Sequence, residues 1–251
     1  VAANIAIILA RMGKKVLIID ADLGLTNIDV VFGLAPQYNL NHFFAGEKDL
    51  GEIVVEGPEG IQILPAGSGI QSVTHLTPDQ KLKFLEAMDA FHSDFDFIII
   101  DTEAGISENV TYFNVAAQEI LVITTSDPTA ITDAYAIMKL LSTKFHERRF
   151  NLIVNSVSDQ DEALDVYKKL TLVSNRYLDI SIDYLGCIPY DKRMRESIAK
   201  QTVMVELYPK SKISSSFEDL AENLTSMMQN VQPKGTPQFF WKRLLSFGQS
   251  E

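Results

Sequence analysis

Val16-Leu17-Ile18-Ile19-Asp20-Ala21-Asp22 is the stretch from which the fold is read. Four consecutive aliphatic residues, bounded by Gly13 on one side and by carboxylates on the other, are too few for a helix and suit a strand buried on both faces. The pattern returns at Phe95–Asp101, where Ile98-Ile99-Ile100 precede Asp101, at Glu119–Thr125 around Ile120-Leu121-Val122-Ile123, and at Phe150–Asn155 around Leu152-Ile153-Val154. Ile182–Ile188 is a weaker version. Between the runs lie stretches with apolar residues at helical spacing: Val1–Met12, closed by Gly13; Leu82–Phe91, after Thr77-Pro78; Ala130–Lys144, after Asp127-Pro128; and Ser214–Gln229. This alternation predicts an α/β fold, a doubly wound, mostly parallel sheet with helices on both faces. Ligands of such sheets bind beyond the carboxyl ends of the strands, where Asp20, Asp101, Thr125 and Asn155 fall. Each of these alone also suits a helix cap or turn; four together point to a site.

The composition fits this picture. A chain of 251 residues, 46% hydrophobic and 22% charged, has material for a large globular core. Its one cysteine, Cys187, excludes an internal disulfide framework and cannot alone hold a metal or an iron–sulfur cluster, which suits a reducing, cytoplasmic setting. A net charge of -11 disfavours broad attraction to nucleic acid, so no direct nucleic-acid contact is expected without a local basic patch. No apolar run reaches the length of a membrane-spanning helix. The stretch from Val1 already reads as helix, with no signal peptide, so the sequence is expected to start inside its domain.

Two constellations carry chemistry. In Asp20-Ala21-Asp22 at the end of the first strand, two carboxylates can face one ligand, Asp22 orienting a water and Asp20 organising the loop or a metal shell. In Phe97-Ile98-Ile99-Ile100-Asp101-Thr102-Glu103-Ala104-Gly105, an apolar strand ends in an aspartate and a small-residue turn, the pattern that holds Mg²⁺, directly or through water, beside phosphates.

Read in order, these segments resemble the MinD/ParA family of deviant-Walker ATPases over nearly the whole chain. The family's Asp-x-Asp-x-Gly-x-x-Asn matches Asp20, Asp22, Gly24 and Asn27, and its Asp-[Ser/Thr]-Pro-Ala-Gly matches Asp101, Thr102, Ala104 and Gly105. Its adenine-side asparagine matches Asn155, and its Leu-Gly-x-Ile-Pro-x-Asp segment matches Leu185–Asp191, suggesting Pro189 and Asp191 as nucleotide contacts. The loops DTEAGIS (Asp101–Ser107) and TTSDPTAITDAYAIMKL (Thr124–Leu140), with LGLTNIDVVFG (Leu23–Gly33) and IQILPAGSG (Ile61–Gly69), are similar to those of the FlhG (FleN) branch.

The resemblance implies a P-loop NTPase-like fold whose first strand and Lys-Gly-Gly-x-Gly-Lys-[Thr/Ser] phosphate loop come before Val1. It implies an Mg²⁺-dependent ATPase, with ATP held between two subunits of a homodimer, Asp22 placing the attacking water, and Asn27 and Gly105 among the nucleotide contacts. Regulation of flagellar number or placement would follow, with an FlhF-type GTPase, flagellar C-ring proteins and a flagellar transcription regulator as partners. Residues 1–251 alone are expected to bind and hydrolyse ATP poorly. Glu103 departs from the family, adding a negative charge where proline or glycine is usual. Two alternatives stay open: a nucleotide-free interaction module of the same fold, and a ParA-type partitioning ATPase.

Residues 1–231 are expected to form the α/β domain and 232–251 a linker, Pro233-Lys234-Gly235-Thr236-Pro237, with a terminal helix. In that helix Phe240, Trp241, Leu244, Leu245 and Phe247 share one arc, and Lys242 and Arg243 lie opposite. This suits an interfacial membrane helix, and it resembles the membrane-targeting tail of MinD; the alternative is a helix docked on its own core. The expected location is therefore the cytoplasm, peripheral at the inner face of the cell membrane. Four scattered histidines, His42, His75, His92 and His146, suit surface or helix-end positions rather than a metal, and the acidic run Asp159–Asp165 suits a helix start.

Overall fold

The computed structural model describes residues 1–22, 28–67, 77–91 and 95–230. The chain runs α1 (Ala2–Arg11), β1 (Val16–Asp20), α2 (Ile28–Val31), α3 (Leu40–Phe44), α4 (Leu50–Ile53), β2 (Val55–Glu56), a 3-10 turn (Pro58–Gly60) and β3 (Gln62–Leu64). Then come α5 (Pro78–Phe91), β4 (Phe97–Asp101), α6 (Glu108–Ala116), β5 (Leu121–Thr124), α7 (Pro128–Phe145) and β6 (Arg149–Val157). The chain continues through α8 (Gln160–Tyr177), β7 (Ser181–Pro189), α9 (Arg193–Ala199), α10 (Met204–Leu207) and α11 (Lys212–Asn230).

The strands pair in two blocks, β2-β3-β1-β4 and β5-β6-β7. All pairings are parallel except the β2–β3 hairpin. The unbroken apolar runs are explained by two covered faces. In β1, Val16 and Ile18 turn into a core shared with α1 and α11, while Leu17 and Ile19 turn into one built with Phe43, Phe84 and Phe113. In β6, Ile153 joins the first core, and Phe150, Leu152 and Val154 pack with α7 and α8.

The helices start and stop for local reasons. Gly13, at φ +79°, lets the chain leave α1 through a left-handed turn, its N–H donating to Ala10. Thr77 and Gln80 cap α5 reciprocally, and Asp127 caps α7 ahead of Pro128 by accepting from the N–H of Thr129 at 2.8 Å. Asp159 caps α8, with Asp161 and Glu162 in its first turn. His42 completes the cap of α3 and His146 ends α7 in the left-handed region, so both sit at helix ends; His75 and His92 lie outside the described residues.

Strands β2 and β3 are not among the runs read from the sequence, being short and interrupted by Glu56 and Gln62. A second feature concerns β4 and β5. Both line an elongated cavity of about 350 Å³ with Leu9, Phe113, Leu224 and Met227, and they are not hydrogen-bonded to each other. Leu121 and Ile123 of β5, the edge strand of its block, are correspondingly open, at 37% and 45% exposure.

Candidate functional site

The register of β1 and β4 sets Asp20 opposite Asp101, at the carboxyl ends of neighbouring parallel strands. The two turns are tied together by the N–H of Ala21, which donates to the backbone carbonyl of Asp101 at 2.8 Å. Asp20 is buried, and its carboxylate accepts from the N–H groups of Asp22 (3.2 Å) and Ile28 (3.4 Å), the two ends of the loop that follows β1. A buried carboxylate bonded to two backbone donors ties Asp22 and Ile28 to the end of β1. Asp22, next along the loop, is close enough to Asp101 for its charge to be felt there.

Asp101 itself is half-buried. Burial pushes its carboxyl above the ordinary aspartate range, and the charge of Asp22 adds to this.

The turn after Asp101 reaches α6 through Gly105, whose φ of +112° is open to glycine and strained for other residues. Glu103 accepts a 2.6 Å hydrogen bond from the hydroxyl of Ser107, and Ser107 in turn accepts from the N–H of Val110 as the cap of α6. The additional negative charge is therefore tied to the start of a helix, where the helix dipole favours it. This arrangement was not foreseen from the sequence; the spacing Glu-x-x-x-Ser before a helix is its only signal.

The second group lies at the carboxyl ends of β6 and β7. Asn155 pairs in register with Ile188, and Val157 with Pro189, so Asn155 and Pro189 come onto adjacent strand ends. Between them Ser156 adopts φ +60° at a β-bulge. The bulge re-aims the residue before it, and such strain gathers at functional positions. Asp191 faces a partner the sequence reading did not assign: Arg193 grips both carboxylate oxygens through Nε at 3.0 and 3.1 Å, and its N–H also donates to Asp191. That bond set holds the Asp191 carboxyl below the usual range. The Arg193 guanidinium also lies 5.2 Å from the ring centre of Tyr208, fixing the turn from β7 into α9.

Of the residues read from the sequence, the structure brings Asp20, Asp22 and Asp101 together at one strand end and Asn155, Pro189 and Asp191 at another, with Gly105 in the turn beside the first group. Asn27 and the tail residues Phe240, Trp241, Lys242, Arg243, Leu244, Leu245 and Phe247 lie outside the described residues.

The donor set suits one class of metal. No cluster of three or more His, Cys, Asp or Glu able to hold a metal ion occurs among the described residues. Mg²⁺ does not need one, since it usually takes one or two carboxylates and completes its shell with phosphate and water. An iron–sulfur cluster does not fit: Cys187, beside Tyr184 within β7, is the one cysteine in these 251 residues.

Comparison with known proteins agrees with this geometry. The model of the family described as 4Fe-4S iron sulfur cluster binding proteins, NifH/frxC family, matches residues 1–247. The antiactivator FleN of Pseudomonas aeruginosa is 39% identical over 245 residues, 98% of this chain and 88% of FleN. The flagellum site-determining protein YlxH of Helicobacter pylori is 32% identical over 251 residues, 98% of this chain and 85% of YlxH. Among solved structures, the septum site-determining protein MinD of Pyrococcus horikoshii, complexed with Mg-ADP, superposes with a TM-score of 0.74 at 25% identity, covering 90% of each chain.

Proposed function

The chain belongs to the deviant-Walker ATPases of the MinD/ParA type, within the wider NifH/frxC family, and from that premise we propose that it is an ATP-dependent dimerisation switch that sets flagellar number or placement. The observation that carries the reading is the pairing of Asp20 with Asp101 across β1 and β4, with Asp22 beside them. Flagellar control is supported by the likeness to FleN and YlxH.

In this reading Asp101 would hold Mg²⁺, directly or through water, and the ion would supply positive charge to offset the phosphates. Asp22 accepts a proton from the attacking water as it is oriented, and Asp20 is a positioning residue that holds the Asp22 loop through backbone N–H bonds. Asn155 and Pro189 flank the base. Asp191, gripped by Arg193, shapes the turn that follows Pro189 and is the third nucleotide contact of this group.

The slot between β4 and β5 supports a further element of the proposal. Its two strand edges and apolar lining suit one parallel strand, the strand that in the family leads into the phosphate loop and then into α1. Among the described residues no helix is long and apolar enough to cross a membrane. Attachment to the membrane is assigned to residues 238–251, and homodimerisation on ATP would present two such tails at once. The partners proposed by relationship are an FlhF-type GTPase, flagellar C-ring proteins and a flagellar transcription regulator.

The deciding experiment is light scattering of the full-length protein in ATP·Mg²⁺, ADP·Mg²⁺ and no nucleotide. A dimer in ATP alone is expected. A monomer in all three, with no bound nucleotide by calorimetry, would replace the switch by a nucleotide-free interaction module.

A further inference from the structure

Strand β6 breaks step once. Phe150, Leu152 and Val154 turn into the core shared with α7 and α8, as every second residue of a strand does. The next β6 residue in that core is Val157 and not Ser156, so one residue has been inserted into the alternation. The register agrees, since Asn155 pairs with Ile188 and Val157 with Pro189 while Ser156 has no partner on β7. The insertion is taken up by the left-handed backbone of Ser156, at φ +60°, where a side chain is strained and glycine is not.

The strain persists because the chain beyond it is held. The carbonyl of Val157 accepts a 2.8 Å bond from the N–H of Tyr190, and the N–H and hydroxyl of Ser158 both donate to Glu162 at 2.7 Å. In a regular strand Asn155 and Val157 would share a face; the inserted residue separates them, returning Val157 to the core and leaving Asn155 on the side of Ile153. Ser156 is exposed and Asn155 half-buried, and neither the hydroxyl of the one nor the carboxamide of the other is hydrogen-bonded to the described residues.

We infer that the left-handed turn at Ser156 sets the base selectivity of the site, by aiming the Asn155 carboxamide so that it accepts an adenine nucleotide and rejects a guanine one. The inference rests on the reading of Asn155 as a contact to the base. A carboxamide offers one donor and one acceptor side by side, which matches N6 and N7 of adenine; guanine presents two acceptors there, O6 and N7, and leaves one half of the amide opposed. Such discrimination needs the amide held in one direction. Without the turn β6 would continue in step, Ser156 would face the core of α7 and α8, and Val157 would be carried to the side of Asn155. Ser156 is therefore a positioning residue, acting through Asn155 by its backbone and not by its hydroxyl.

The test is displacement of a fluorescent ATP analogue by ATP and by GTP from the full-length protein and its Ser156→Gly, Ser156→Ala and Ser156→Val variants, each alone and combined with Asn155→Ala. Glycine takes the left-handed turn freely, alanine with strain and β-branched valine hardly at all. The preference for ATP over GTP is expected to survive in Ser156→Gly, to fall in Ser156→Ala and to fall roughly tenfold or more in Ser156→Val. None of the three should alter it once Asn155→Ala is present. Glycine and alanine both lack the hydroxyl and differ in their tolerance of the turn, so that pair decides the matter even where Ser156→Val does not fold. The inference is overturned by a preference unchanged across the series, by equal loss in Ser156→Gly and Ser156→Ala, by ATP and GTP weakening in the same proportion, or by an effect that persists without Asn155. An unaltered protein that binds ATP and GTP alike overturns it too, whereas one that binds neither overturns the nucleotide site on which it rests.

Discussion

Asp20 and Asp101 are partners in register across β1 and β4, yet their carboxylates have different tasks. One is buried against backbone N–H donors, and the other is pushed toward protonation by burial and by Asp22. The contrast separates a carboxylate that ties Asp22 and Ile28 to the end of β1 from one whose charge burial makes costly.

In the full-length protein, Asp22→Ala is expected to slow ATP hydrolysis by roughly 10²–10⁴-fold while nucleotide binding survives. Single-turnover kinetics beside calorimetric ATP binding measures both. Unchanged turnover would remove Asp22 from the catalytic role.

Glu103→Gln tests whether the additional charge matters to the metal. Because Glu103 is bonded to Ser107 at the start of α6, the substitution is expected to change Mg²⁺ affinity by no more than about twofold and to lower the melting temperature slightly, by loss of a charge favourable to the helix dipole. A large rise in Mg²⁺ affinity would show that Glu103 acts on the metal site.

Gly67→Ala should destabilise the fold by about 1–3 kcal/mol. A Cβ there would fall 1.8 Å from Nδ2 of Asn41, a buried side chain. Urea melts of Gly67→Ala, Asn41→Ala and the double variant measure the coupling; strictly additive effects would refute the clash.

Glu162 accepts hydrogen bonds from Ser126 and from both the hydroxyl and the N–H of Ser158, and these hold its carboxyl down to about 2. A carboxyl depressed in the folded state adds stability that is present above its unfolded value near 4.5 and is lost as pH falls through the folded value near 2. Melting temperatures of the parent and Glu162→Gln between pH 2 and 6 are expected to differ at the upper end and converge at the lower. Parallel curves would mean that Glu162 does not titrate in this window.

The tail is expected to bind membranes weakly in one copy and usefully in two. Each apolar side chain contributes about 1.5 kcal/mol or more on burial, against ordering of about 1–2 kcal/mol per residue, so a single tail sits near balance. Two tails on one dimer gain roughly 10²–10⁴ in avidity. Liposome co-sedimentation with ATP and with ADP, beside a deletion of residues 238–251 and Trp241→Glu, reads this directly. Equal sedimentation of all forms would assign the anchor elsewhere and favour a docked terminal helix.

The strand runs ending in Asp20, Asp101 and Asn155 are legible because burial on both faces leaves an unbroken aliphatic signature. The helix starts at Thr77-Pro78 and Asp127-Pro128 are legible because capping is local chemistry. Strands β2 and β3 are not, since two or three residues with Glu56 and Gln62 among them leave too little periodicity to read. The Arg193 grip on Asp191, the bond from Ser107 to Glu103 and the bulge at Ser156 depend on how turns fold back on themselves, which residue type alone leaves undecided.

The slot between β4 and β5 has a mechanical meaning. Without ladder bonds across it, the two blocks of sheet are joined through α6 and through the packing in which α1 and α11 bring Ile18 and Ile153 into one core. A strand seated there would knit both blocks into a single ladder, so the element leading to the phosphate loop would also be the keystone of the domain. Force or strain arising at the phosphates would then reach both halves along one backbone, and the closing of a dimer around nucleotide would be felt through the whole sheet at once.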